Sequence, residues 1–190
     1  MSHVKTDKLS ARTASGTITL GESGETLTIP SGVTLTNNGT ASGFGENNTP
    51  AFHVYRSSTQ TLTDGANSKI LFNTKEFDTD NAYDSTTNYR FTVPSGKAGK
   101  YFIGAEMTHE SGSAYITDLK IYKNGSFAHG QGNYFSTYRV ERRDVSISRV
   151  LDLSESDYIE IYVFATSSST PQMKVDSSKT VSFFGFRLAD

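Results

Sequence analysis

Aromatic residues are confined almost wholly to one part of this chain. Of 22 Phe and Tyr residues in 190, only Phe44 precedes residue 50. Aromatic side chains carry much of the area that a core buries, so a segment of about fifty residues holding one of them cannot stabilise an independent domain. The expected organisation is therefore an appendage over residues 1–48 and a domain over residues 49–190.

The appendage has a pattern of its own. Gly16-Thr-Ile-Thr-Leu20, Glu25-Thr-Leu-Thr-Ile29 and Gly32-Val-Thr-Leu-Thr36 alternate Thr with aliphatic residues, and Gly21-Glu-Ser-Gly24 and Pro30-Ser-Gly32 punctuate them. Alternation of period two is the mark of a strand with one apolar face. Three such strands cannot cover Ile18, Leu20, Leu27, Ile29, Val33 and Leu35 by themselves, and the natural cover is the same face of other copies. These six are the candidate anchoring residues. The same runs also suit a polar linker. Residues 37–48, dense in Asn and Gly, read as a hinge.

From Pro50 onward, strand-like runs alternate with turn residues and no helical period emerges. Strands are expected at 51–56, 58–62, 69–73, 77–78, 89–93, 99–108, 114–123, 145–153, 158–166 and 180–188. Turns are expected at Asp64-Gly65, Ser95-Gly96, Ser111-Gly112 and Asn124-Gly125. The expected class is all-β, a jelly-roll sandwich of about ten strands. The last run carries Phe183, Phe184 and Phe186 and is too apolar on both faces for a free edge; its surplus suits a protomer interface.

Composition removes several functions. With no Cys, disulfides, thiolate metal sites and Cys nucleophiles are excluded. A net charge of −2 argues against a nucleic-acid footprint. No apolar run is long enough for a membrane helix, and the opening Met1-Ser-His-Val-Lys-Thr-Asp-Lys8 lacks the apolar core of a signal peptide, so cytoplasmic synthesis without membrane insertion is expected. His3, His53, His109 and His129 show no metal-type spacing, and no Gly-x-Ser-x-Gly elbow occurs. An enzyme is not expected.

Several blocks resemble a known family. Ala51-Phe52, Lys69-Ile-Leu-Phe-Asn73, Tyr83-Asp84, Tyr89-Arg-Phe-Thr-Val-Pro94 and Gly99-Lys-Tyr-Phe-Ile103 are similar, in order, to the globular head of the complement one-q family, which shares its jelly roll with tumour necrosis factor. Leu119-Lys-Ile-Tyr-Lys-Asn-Gly125, Ser156-Asp-Tyr-Ile-Glu-Ile-Tyr-Val163 and Ser182-Phe-Phe-Gly-Phe-Arg-Leu188 continue the resemblance. No collagen repeat precedes the head. The resemblance implies a homotrimer around an aromatic axis, with Tyr101, Phe183, Phe184 and Phe186 as interface candidates. Residues 16–45 are in turn similar to segments of virion fibre proteins of marine bacteriophages.

Two clusters remain. Asp78, Asp80 and Asp84 could offer oxygen ligands to calcium, which some heads of the family bind, although Asp-rich turns also form for the sake of their own backbone hydrogen bonds. The stretch 127–139 sets His129, Tyr134, Tyr138 and Arg139 among glycines, a composition suited to adaptable recognition of a glycan or protein surface, or to packing beneath a long loop. These readings converge on a trimeric virion protein: a short tail fibre whose residues 1–48 attach to other virion proteins and whose head binds a host receptor or glycan. The alternative is a trimeric capsid decoration protein without a receptor.

Overall fold

The computed structural model describes residues 9–13, 16–34, 36, 38, 48–109, 114–134, 143–167, 170–173, 175 and 179–188. The chain divides into two compact units, Met1–Phe44 and Gly45–Asp190.

In the first unit the described residues of the Thr-rich runs form no strand. Tight turns separate the runs: Glu25 N–H donates to Glu22 O at 3.0 Å and Val33 N–H to Pro30 O at 3.2 Å. Gly24 and Gly32 take φ of 88° and 84° at the third position of these turns, a conformation that glycine alone adopts freely. Ile18, Leu20, Leu27, Ile29 and Val33 are all exposed. Among the described residues of the single chain the strands expected here are thus absent, because a strand requires a ladder partner and these residues supply none; Leu35 lies outside the described residues.

The second unit is all-β. Its strands are β1 Ala51–Tyr55, β2 Gln60–Thr61, β3 Ala66–Lys69, β4 Thr74–Asp78, β5 Tyr83–Asp84, β6 Arg90–Thr92 and β7 Gly99–His109. They continue as β8 Ala114–Lys123, β9 Ser126–Tyr134, β10 Arg143–Leu153, β11 Tyr158–Ser167, β12 Gln172–Met173 and β13 Ser182–Arg187. One sheet runs β2-β12-β7-β13-β1-β4, with β10 along the other edge of β7. The second runs β5-β6-β11-β8-β9. The partners are distant in sequence, as in β1 with β13 and β6 with β11, and this is the expected jelly-roll sandwich. As its two-sided apolarity required, β13 is interior, held by β7 and β1.

The inward positions of both sheets form one core. Phe52 stacks on Phe91 at 4.7 Å and meets Phe183 edge-on at 4.9 Å, with Tyr83, Tyr101, Ile103, Leu119 and Ile161 around them. The strand expected at 69–73 falls instead at Ala66–Lys69, and three strands lay outside the sequence reading: β5, β12 and, most consequentially, β9. Its residues Ser126–Tyr134 carry two interior glycines and no apolar alternation, so nothing local marks them as a strand. The Asn124-Gly125 turn, with φ of 53° and 75°, folds β9 back against β8 and sets the pairing.

Candidate functional site: the two outer faces of the sandwich

Strand alternation decides which aromatics leave the core. Along β7, Tyr101, Ile103, Ala105 and Met107 point inward and Phe102, Gly104 and Glu106 outward; along β13, Phe183 points inward and Phe184 and Phe186 outward. The first sheet therefore carries a line of rings on its outer face. His53 meets Phe77 at 6.2 Å and Phe184 at 6.1 Å, and Phe102 meets Phe184 at 6.4 Å and Phe186 at 5.5 Å. Phe184 lies across Gly104, where a Cβ would come within 2.5 Å of the ring. A groove of about 440 Å³ runs between Phe77, Phe184 and Phe186, with Glu106 at its side accepting a 2.9 Å hydrogen bond from Ser182. Phe77 is 49% exposed and Val150, opposite Phe102, 56% exposed.

Two of the interface candidates are corrected by this alternation. Tyr101 and Phe183 are wholly buried in the core. Tyr101 donates its hydroxyl to Lys97 O at 2.5 Å, and burial, with Asp80 nearby, pushes its pKa up to about 12. Phe102, His53, Phe77 and Val150 replace them on the outer face. The period was visible: odd positions from 101 to 107 are all apolar, whereas Gly104, Glu106 and Thr108 are not.

The outer face of the second sheet is built differently. Tyr122 and Tyr162 pack at 4.3 Å, Phe127 meets Tyr122 edge-on at 6.1 Å, and Arg90 lies 4.1 Å over the Tyr158 ring. Lys120 Nζ sits 4.9 Å over Phe164 and donates to Asn67 Oδ1 at 2.9 Å, while Asn67 Nδ2 donates to the Tyr122 hydroxyl at 3.2 Å. Buried Glu160 pairs with Lys69 at 2.5 Å, and Lys123 pairs with Asp157 at 2.8 Å. Burial pushes the Asp157 carboxyl upward, but hydrogen bonds from Asn124, Lys123 and the Ser154 N–H outweigh it and hold the pKa at about 2. Burial and the Glu160, Tyr122 and Tyr158 neighbours raise Tyr162.

The 127–139 stretch starts as strand β9 and not as a loop. His129 is exposed and paired with Ile121, and Tyr134 is paired with Ile116 through its backbone. The Tyr134 side chain, Tyr138 and Arg139 lie outside the described residues.

The aspartates are engaged by their own loops. Asp78 accepts from Lys75 at 2.7 Å and from the Ala82 and Tyr83 N–H groups. Asp84 accepts from the Thr87, Thr86 and Asn88 N–H groups and the Asn88 amide, which hold it well below the usual carboxylate range. Asp80 accepts from Thr79 at 2.7 Å. Among the described residues no group of three or more His, Cys, Asp or Glu is placed to hold a metal ion, so the structure does not bring the calcium candidates together. The reason is the Asp turn itself, in which Asp78 and Asp84 close on local N–H donors and Asp80 on the neighbouring Thr79 hydroxyl.

No family model matches this chain, and no curated protein matches it. Solved structures do. The globular domain of the zebrafish complement 1qA protein is 21% identical and aligns over 73% of this chain and 97% of its own, with a TM-score of 0.51. Murine APRIL is 11% identical over 73% of this chain and 98% of its own, with a TM-score of 0.53. The Eiger TNF of S. frugiperda is 11% identical over 74% and 92%, with a TM-score of 0.55. The head has the complement one-q and tumour necrosis factor fold. At these identities the likeness of the jelly roll is one of architecture, and its function is argued from its own surfaces.

Proposed function

We propose that this chain is a homotrimeric virion protein of a bacteriophage, a short tail fibre that acts by binding and not by catalysis. The outer face of the first sheet joins three heads, residues 1–48 anchor the trimer to other virion proteins, and the head meets a host-surface receptor or glycan. The observation that carries the reading is the line Phe77, His53, Phe184, Phe102 and Phe186, one exposed ring and four half-buried ones on the outer face: a contiguous apolar patch of this kind marks a surface that is covered in the working molecule. The uncovered aliphatic residues of 18–33 make the same demand of the appendage, and three copies side by side would supply ladder partners and apolar cover together. The virion setting rests on the similarity of residues 16–45 to bacteriophage fibre segments.

The capsid decoration reading is favoured by one feature, the shortness of the runs. Four or five strand residues span only about 15 Å, so the appendage makes a modest shaft. Imaging of labelled particles separates the two: signal at the tail supports the fibre, and signal on capsid faces supports decoration. Mass measurement in dilute solution is expected to give three times 20.7 kDa, and a monomer would overturn the trimer.

A further inference from the structure

The outer face of the second sheet has no part in the proposed trimer contact, and its construction differs from that of a protein-covered face. On edge strand β9 the outward positions are Phe127, Gly130 and Gly132, the two glycines standing opposite Lys120 and Asp118. Glycine inside a strand weakens it, and where no turn demands it, it marks the close approach of a ligand or another backbone. Gly130 has no left-handed φ, and a Cβ there would stand 3.3 Å from the Phe127 ring and 3.7 Å from Lys120 Cγ, so a side chain fits with a small adjustment. What its absence leaves is an open strip. The Phe127 ring, 60% exposed, rises at one end, and Lys120, Tyr122 and Tyr162 lie along the side.

Each ring on this face stands beside a polar group. Asn67 bridges the Tyr122 hydroxyl and Lys120 Nζ, and Asp118 offers a carboxylate between the glycine strip and Phe164. Lys69 and Lys123 are paired with Glu160 and Asp157, Lys120 is held by Asn67 Oδ1 over the Phe164 ring, and Arg90 is stacked on Tyr158. A flat molecule with apolar C–H faces and a rim of hydroxyls meets all these terms: its faces pack on the rings, its rim exchanges hydrogen bonds with the amide, ammonium and carboxylate, and it brings no charge to a surface whose cations are already engaged by its own carboxylates, amide and rings. We infer that the outer face of the second sheet, centred on Phe127, Gly130, Lys120 and Tyr162, binds neutral saccharides. This deepens the receptor-binding reading and rests on it for its biological setting.

The test is affinity electrophoresis of the full chain through native gels containing dextran, mannan or galactomannan, with heparin as the anionic arm. Retardation by a neutral polysaccharide is expected, with Phe127→Ala and Gly130→Val each weakening it about tenfold, the worth of one aromatic contact. Gly130→Val adds a strand-favouring residue at an exposed edge, so its melting temperature is expected to hold or rise while binding falls. Retardation by heparin alone, by no polysaccharide, or to an equal degree in Gly130→Val overturns the inference. Host-cell binding undiminished by Gly130→Val also overturns it, while leaving the receptor reading intact. Saccharide binding that Gly130→Val removes, in a protein that binds no host cell, supports the surface and overturns the receptor reading instead.

Discussion

Each outer face of the sandwich sets a phenylalanine beside a strand glycine, with opposite results. On the first sheet the ring of Phe184 occupies the space above Gly104 so closely that a Cβ would meet it at 2.5 Å. On the second, Phe127 stands at 3.3 Å from the corresponding point on Gly130 and leaves the glycine open to solvent. The first glycine is a seat for the chain's own ring, which makes the face smooth, continuous and apolar. The second is a space kept clear beside rings that are interleaved with polar atoms. If the proposed roles hold, the lesson is that aromatic content does not distinguish a subunit contact from a ligand surface; what lies between the rings does.

The largest expected effect breaks this comparison at the level of assembly. Phe184→Glu sets a charge in the middle of the first face and is expected to reduce the particle to a 20.7 kDa monomer, whereas Tyr162→Glu on the second face leaves the mass unchanged. Light scattering reads both, and the reverse pattern would exchange the roles of the faces. A second contrast separates the face from the core beneath it. Phe183→Ala is expected to cost about 3–5 kcal/mol, because the ring is fully enclosed, and Phe184→Ala in the monomeric state less than about 1 kcal/mol. Urea unfolding midpoints measure the difference.

The smallest effect concerns acid. Asp157, held at about 2 against its ordinary 3.8, contributes stability that is complete above its ordinary value and drains as the pH falls towards 2. Asp84 behaves in the same sense with a window reaching lower. Both serve loops of the second sheet. Unfolding midpoints between pH 7 and pH 2.5 should decline below about pH 4, and Asp157→Asn should flatten part of that decline at the expense of stability at neutral pH.

Much of the architecture was legible because burial writes itself into alternation. Long strands with one aliphatic face, such as β7, β8 and β11, declare both their type and their inward side, and the two-sided apolarity of β13 announced an interior strand. What stayed hidden was whatever takes its conformation from a neighbouring strand and not from a pattern of its own. β9 is a strand only because β8 holds it, and its glycines carry no period. The short β5 and β12 likewise depend on β6 and β2 for pairing. The appendage is the reverse case: alternation is present, and the described residues of the single chain supply no neighbour. At the candidate site, choosing Tyr101 and Phe183 for the surface took aromatic richness as the signal, when the parity of the flanking residues already placed both rings inside. The second face was missed because its parts lie far apart in sequence: the sheet order brings together Tyr122, Phe127 and Tyr162 of β8, β9 and β11, and Asn67 of β3 joins them through its side-chain hydrogen bonds.

The chain enters the head through β1, which is paired along its length with β13 on one edge and β4 on the other. Just before it, Pro50 O accepts from the Arg187 N–H, and just after it the Arg56 N–H donates to Val181 O. A pull arriving along the backbone from the N-terminal side acts lengthwise on this strand, so the hydrogen bonds on both flanks are loaded together in shear and do not peel apart rung by rung. Mechanically, β1 is a clamp at the middle of a sheet, an arrangement suited to a domain that must hold a load.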